Sequence, residues 1–248
     1  MFQIFNKKIF LRDSLEGFVD IHSHILPGID DGAKQVSESI HLIKSLEALG
    51  VKQFTATPHI MQGVYENTKE TIDEAYQNVI RAMDPNLVSN VTLNYAAEYM
   101  LDAQFLEQLE AQELFTVKDN YILIEMSHFQ APINLEDIIS KIKTKGYVPI
   151  LAHPERYTFY HDSKTYYHRL KQLGCLFQLN FLSLTDHYGN HVEKMAHYLI
   201  EEELIDFVAT DTHNETHIKK LSNITLNKSL ARKLPIIIKN TCRVFSKT

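Results

Sequence analysis

Cysteine is scarce: Cys175 and Cys242 are the only two. That is too few for a disulfide framework and fits a reducing compartment, with both thiols read as small buried hydrophobes. Tryptophan is absent, and no stretch approaches the ~18 uninterrupted apolar residues of a spanning helix. Positive charge is not in excess; the formal net charge of −6 gives no basic field for a nucleic-acid partner. The eight glycines and seven prolines form no linker, and no low-complexity tract or composition break divides the chain. The opening MFQIFNKKIFLRDSLEG lacks a long apolar core and a small-residue cleavage site, so it does not read as a signal peptide. These absences predict a cytoplasmic protein with an N-terminal arm (1–16) and one domain (17–248), a length that α/β barrels commonly fill as a single unit.

What is abundant is histidine, with 13 residues unevenly placed in a chain of ordinary hydrophobic content. An amphipathic stretch, often a glycine, and a short apolar run recur in that order. Val36, Ile40, Ile43, Leu46 and Leu49 keep helical spacing before Gly50. Ile138, Ile139 and Ile142 lead to Gly146, with Asn134 and Asp137 marking the helix start, and Leu170 and Leu173 lead to Gly174. Seven runs read as strands: 18–22, 54–58, 92–98, 121–126, 148–153, 175–180 and 206–211. Short strands apolar on both faces and alternating with helices predict a mainly parallel sheet, closed or nearly closed into a barrel.

The ends of these runs carry the chemistry. Asp20, His22 and His24 alternate along the first, so they share a face, with Asp30 and Asp31 in the loop beyond. The next four runs end at or beside His59, Glu98, Glu125 and His153. The last ends Asp211-Thr212-His213, again with period two, and the sixth offers only Asn180. In parallel α/β barrels the carboxyl ends of the strands form the active face. Any one of these residues alone reads as a solvated loop group, but six of seven strands repeat the pattern. Imidazoles with carboxylates and no thiolate suit Zn, Mn or Fe. His22, His24, Asp31, His59, Glu98, Glu125, His153, Asp211 and His213 are too many for one ion, so two or three divalent ions are expected. Such a cluster generates hydroxide at neutral pH and clamps phosphoryl oxygens. Arg156, three residues past His153, is placed to hold a phosphate; pairing with Glu155 at the surface is the plainer alternative.

Taken in order, FVDIHSHILPGIDDG, ATPHI, AAEYM, ILIEMS, LAHPERY and ATDTHN resemble the polymerase-and-histidinol-phosphatase (PHP) family. The match is to its bacterial branch of manganese-dependent tyrosine-protein phosphatases encoded with capsule or exopolysaccharide genes. The resemblance covers roughly residues 18–215 and implies a distorted (β/α)7 TIM-like barrel. It further implies a trinuclear centre on those nine residues, Asp31 being the aspartate of the DDG segment, with manganese the first choice of metal. Arg156 then binds substrate phosphate, and the substrate is a phosphotyrosine protein, in all expectation a bacterial tyrosine kinase tail. One departure stands out. Related Gram-positive members carry an arginine seven residues past the last-strand aspartate, where this chain has Ile218; His217, Lys219 and Lys220 are the available substitutes.

The expected reaction is attack of a metal-bridging hydroxide on phosphorus, with Arg156 stabilising the phosphoryl charge. A mouth histidine such as His213 is a candidate to protonate the departing phenolate. No phosphocysteine is expected, because Phe181 stands six residues after Cys175 and no arginine stands six after Cys242. Tyr65, Tyr99, Tyr157, Tyr160, Tyr166 and Tyr167 are candidates either for a peptide groove or for packing at the barrel rim. Alternative readings are a small-molecule phosphomonoesterase such as a histidinol-phosphate phosphatase, and a metal-loaded regulatory module without turnover. An amidohydrolase-type barrel fits less well, since Glu125 and Asn180 stand where that family places a lysine and a histidine.

Overall fold

A computed structural model of the chain describes residues 8–246. In chain order it contains β1 (Ile9–Phe10), β2 (Phe18–Ser23), α1 (Val36–Glu47), β3 (Val51–Ala56), β4 (His59–Ile60), α2 (Lys69–Ala82) and α3 (Pro85–Asn90). There follow β5 (Thr92–Tyr95), β6 (Glu98–Met100), α4 (Ala103–Ala111), β7 (Tyr121–Glu125), α5 (Leu135–Thr144), β8 (Val148–Ala152) and α6 (Thr165–Gln172). The chain closes with β9 (Leu176–Asn180), α7 (Asn190–Glu201), β10 (Phe207–Ala209), α8 (Glu215–Leu221), β11 (Thr225–Leu226) and α9 (Lys228–Phe245). No described helix is long and apolar enough to cross a membrane.

The helices stop where the glycine pattern says they should. Gly50, Gly146 and Gly174 all have positive φ, which lets the chain reverse out of α1, α5 and α6. At Gly50 a Cβ would also lie 2.6 Å from the Leu15 carbonyl oxygen, so a side chain is excluded twice over.

The strands pair in parallel as β10-β9-β8-β7-β6-β4 and as β2-β3-β5. Backbone bonds join the two sheets. On one side Asp211 N donates to His22 O and His24 N to Thr212 O, both at 2.9 Å. On the other, Ala96 N donates to Ala56 O (2.8 Å) and Glu98 N to Pro58 O (3.1 Å), where β3 runs on into β4 and β5 into β6. Two of the expected strands are therefore interrupted, the second at Thr57–Pro58 and the third at Ala96–Ala97. Pro58 has no N–H for a ladder, and the break lets His59 and Glu98 begin new short strands, directly opposite one another.

Alternate side chains of β7, β8 and β10 face two different apolar clusters. Leu123, Ile150, Phe207 and Ala209 join Val19 and Ile21 in the smaller one. Ile122, Ile124, Leu151 and Val208 join the larger layer beneath the helices, with Phe54 and Phe177. Each such fully buried chain contributes about 1.5–3 kcal/mol, so the strand ends stand on a rigid base. Part of the expected N-terminal arm packs onto that base: β1 pairs antiparallel with β11, Leu11 N donates to Ile224 O, and Leu11 and Leu15 are buried. The rest of the arm, residues 1–7, lies outside the described residues.

Candidate metal centre

At the carboxyl ends of the strands, ligand-type atoms gather in four overlapping groups, each with its atoms within 4.8 Å of one another. They are His24-Asp31-His59-His213, His22-His24-Asp211, His22-Glu98-His153 and His59-Glu98-Glu125. Together these are the nine residues singled out in the sequence.

Glu98 lies at the centre. Its Oε2 is 3.2 Å from His22 Nε2, 3.3 Å from His24 Nε2 and 3.1 Å from His59 Nδ1. Despite full burial, that oxygen makes no hydrogen bond of acceptable geometry among the described residues, and neither does His153 Nδ1. Asp211 Oδ1 is 3.3 Å from His22 Nε2 and 3.4 Å from His24 Nε2. Atoms bound to one ion at about 2.0–2.2 Å stand roughly 3.0–3.5 Å apart, the spacing seen here. An unbonded carboxylate oxygen amid converging imidazoles fits divalent cations far better than it fits a self-contained polar network.

A further layer aims the ligands. Asn180 Nδ2 donates to Asp211 Oδ2 at 2.5 Å, and Gln178 Nε2 donates to Asn180 Oδ1 at 2.9 Å. This turns Gln178 Oε1 to His22 Nδ1 at 2.8 Å, and so leaves the Nε2 lone pair of His22 facing the cluster. Asp30 Oδ2 does the same for His24 through Nδ1 (2.8 Å), while Asp30 Oδ1 accepts from Gly32 N. Gly32 is required by close approach, since a Cβ would fall 1.9 Å from His24 O. The DDG segment is thereby divided: Asp30 orients a histidine, and half-exposed Asp31 reaches His59 and His213 at 3.5 and 3.3 Å. Asp20 does not converge with His22 and His24 as its spacing suggests. It accepts from Thr210 N (2.9 Å) and Thr210 Oγ1 (2.6 Å) and braces the turn before Asp211. His153 and Asp211 both have positive φ, at 36° and 49°, conformations that cost about 1–3 kcal/mol each and concentrate at functional sites.

The electrostatics follow from this crowding. Burial works against the charged form of His59, but Glu98 and Glu125 outweigh it and push the imidazole up to about 10. Burial likewise opposes ionised Glu98 and Asp211, yet the surrounding histidines hold both well below the usual carboxylate range. In the absence of cations the histidines thus take up the protons that bound metal would displace. His153 differs: burial and then Arg156 push it down to about 3, so it is neutral.

These groups floor a cavity of about 870 Å³. Arg156 enters its wall with Nη1 3.3 Å from Asp211 Oδ2, and it does not pair with Glu155. Its guanidinium carbon lies 4.4 Å from the ring centroid of Tyr188, which also lines the cavity. Sequence reading missed Tyr188, because it lies in a short 3-10 turn (Asp186–Tyr188) without period or motif. It missed Gln178 for a different reason: mid-strand glutamine carries no signal until its neighbour is known. Among the tyrosines proposed for the mouth, Tyr65 lines the cavity and stacks on His59. Tyr99, in β6, and Tyr157 and Tyr167, in the turn and helix that follow β8, are core residues instead. Tyr160 and Tyr166 pack against one another outside the cavity.

Ile218 is buried on the inner side of α8, so the position of the second arginine is closed to substrate here. Of the three substitutes, only His217 lines the cavity; Lys219 pairs with Glu215, and Lys220 contacts His187. Buried Cys175, pushed up to about 12 by desolvation, is no nucleophile.

Comparison with known proteins identifies the family. The model of the capsular polysaccharide synthesis family CpsB/CapC matches residues 18–233. The chain is 34% identical to tyrosine-protein phosphatase CpsB of Streptococcus pneumoniae, over 79% of this chain and 83% of that one. It is 30% identical to the putative tyrosine-protein phosphatase CapC of Staphylococcus aureus over 90% and 89% of the two chains. For tyrosine-protein phosphatase YwqE of Bacillus subtilis the figures are 31%, 79% and 77%. A structure from crystallographic work on YwqE and CpsB, described as unique metal-dependent tyrosine phosphatases, superposes with a TM-score of 0.80. It is 28% identical, and 92% of this chain and 93% of that one are covered. A lactonase from Listeria monocytogenes, 11% identical with a TM-score of 0.51, shares the fold alone. With a family model spanning most of its length and relatives at 30–34% identity, this chain belongs to the CpsB/CapC family of PHP-type proteins of capsular polysaccharide synthesis.

Proposed function

We propose that this chain is a metal-dependent protein-tyrosine phosphatase whose substrate is a phosphotyrosine protein, a bacterial tyrosine kinase tail being the first candidate. The observation that carries the reading is Glu98, an unbonded buried carboxylate ringed by His22, His24 and His59 at 3.1–3.3 Å on the floor of an open cavity. The nine clustered residues would hold two or three divalent ions, manganese first, with iron or zinc accepted by the same donors. When bound, such ions supply an activated water and neutralise phosphoryl charge.

The protein's own groups do the rest. Arg156, fixed by Asp211 and Tyr188, binds and orients the phosphoryl oxygens and stabilises the charge that spreads over them. The Asp211 carbonyl oxygen only accepts, so at 2.9 Å it holds the proton on His213 Nδ1. That leaves Nε2 of His213 toward Asp31, which favours a ligand over a proton donor to the phenolate. We read the two joined sheets as one distorted (β/α)7 barrel and the chain from residue 17 onward as a single domain. We place the protein in the cytoplasm, in keeping with its two unpaired cysteines.

The test is phosphate release by manganese-loaded protein from a phosphotyrosine kinase tail, run beside histidinol phosphate. Preferred turnover of the peptide, lost on chelation and in His59→Ala, supports the reading. No release from the peptide refutes it, and preference for histidinol phosphate assigns a small-molecule substrate.

A further inference from the structure

The mouth of the cavity is divided by chemistry. Where β8, β9 and β10 end it is cationic and polar, with Arg156, Tyr188, His213 and His217. Where β4, β6 and β7 end, half-buried Met61 and Met100 line the wall over buried Met126, among the polar Gln62, Ser127 and His128. Above them stand Val64 and Phe129, whose loops follow the two strands that flank β6. Val64 is 61% exposed and Phe129 is 93% exposed, although both line the cavity. Large apolar side chains held in water beside a polar centre gain only when something apolar covers them. Of the carboxylates on this side, Glu98 and Glu125 belong to the ligand cluster on the floor, and Asp102 is already engaged, accepting from Gln62 N and Phe105 N at 2.9 Å. It therefore faces its own backbone and places no demand on a ligand. A molecule that satisfies both halves is anionic at its deep end and flat and apolar just above.

We propose that Val64 and Phe129 are specificity-determining residues: two apolar jaws, backed by the three methionines, that hold the aromatic ring of an aryl phosphate ester and select it over alkyl esters. The occupant is the phosphotyrosine side chain of a peptide, so the inference rests on the phosphatase reading above. The methionine wall adapts to the ring edge, and the jaws seat the ring on entry, while the phosphoryl group meets the floor. A phosphoserine side chain, which has no ring, reaches the same floor without filling the jaws.

The experiment compares wild type, Val64→Ser, Phe129→Ser and the double variant on two manganese-supported substrates: a phosphotyrosine peptide, and the same peptide with phosphoserine. Because both residues are exposed, the variants are expected to melt with wild-type protein, checked by circular dichroism. The ratio of kcat/KM for phosphotyrosine over phosphoserine should fall about tenfold in each single variant, chiefly through KM, with inhibition by inorganic phosphate unchanged. An unchanged ratio overturns the proposal. So does a result in which wild type self-associates in sedimentation and Phe129→Ser separates the copies without altering the ratio, which assigns the jaw to a second chain. If wild type releases phosphate from neither peptide, the failure lies in the phosphatase reading and is recognised as such.

Discussion

Gln178 Oε1 stands 2.8 Å from Nδ1 of His22, and the chain Gln178–Asn180–Asp211 fixes which way that amide points. The carboxylate of Asp211 only accepts, so Asn180 must donate to it. Asn180 Oδ1 must then accept from Gln178, and the Gln178 oxygen must face His22. A neutral glutamine in β9, itself no ligand, therefore sets the tautomer of a histidine in β2.

Gln178→Ala should accordingly weaken metal binding by roughly 10–100-fold, the usual effect of losing a group that orients a ligand. Titration of the metal-free protein with Mn(II), followed by calorimetry, measures it. Wild-type affinity in the variant would show that His22 needs no such support.

Metal removal should cost stability, because five carboxylates and five histidines share the buried cluster and its edge. Binding at a hundredfold excess over Kd stabilises by about 2.7 kcal/mol, which corresponds to a rise in Tm of roughly 5–10 °C for a chain of this size. Differential scanning calorimetry of stripped and Mn(II)-reloaded protein reads the difference. Identical melting in both forms would count against a built metal centre.

Glu98→Gln keeps the size of the side chain but removes the charge shared by two of the ligand groups. Activity should fall by at least about a hundredfold, comparable with the loss of a principal electrostatic group, and bound metal per chain should drop below the wild-type value. Elemental analysis of the purified variant gives a readout independent of turnover. Full metal content with full activity would move the centre away from Glu98.

Arg156→Ala should reduce kcat/KM for a phosphotyrosine peptide by about 10–100-fold, the worth of charge-assisted hydrogen bonds to phosphate. Arg156→Lys should recover little of this, since an ammonium cannot present a planar fork or stack on Tyr188 in the same manner. Steady-state kinetics on the three proteins decide it, and a lysine variant equal to wild type would reduce Arg156 to a simple positive charge.

Cys175→Ala should leave phosphatase activity intact, because the thiol is buried outside the cavity and pushed up to about 12. The expected cost is confined to stability, about 1 kcal/mol for a small gap in a packed core. Loss of turnover in a folded variant would reopen a thiol mechanism.

The composition of the centre is legible from local pattern. His22 with His24, and Asp211 with His213, announce themselves by period two, and His59, Glu98, Glu125 and His153 by their places after short apolar runs. Those signals are local, since a strand fixes the direction of its own side chains. Which neighbours engage each other across long separations in the chain emerges only once the sheets are assembled. Gln178 lies 156 residues from the histidine it orients, and Asp20, in phase with the ligands, turns to Thr210, 190 residues away. The same assembly leaves Pro58 and the Ala96–Ala97 pair as interruptions in their strands, and Ile218 buried while His217 faces the cavity. Such choices depend on how the sheets are joined and how the loops pack above them. Periodicity records which way a residue points from its own strand and holds no information about what stands opposite.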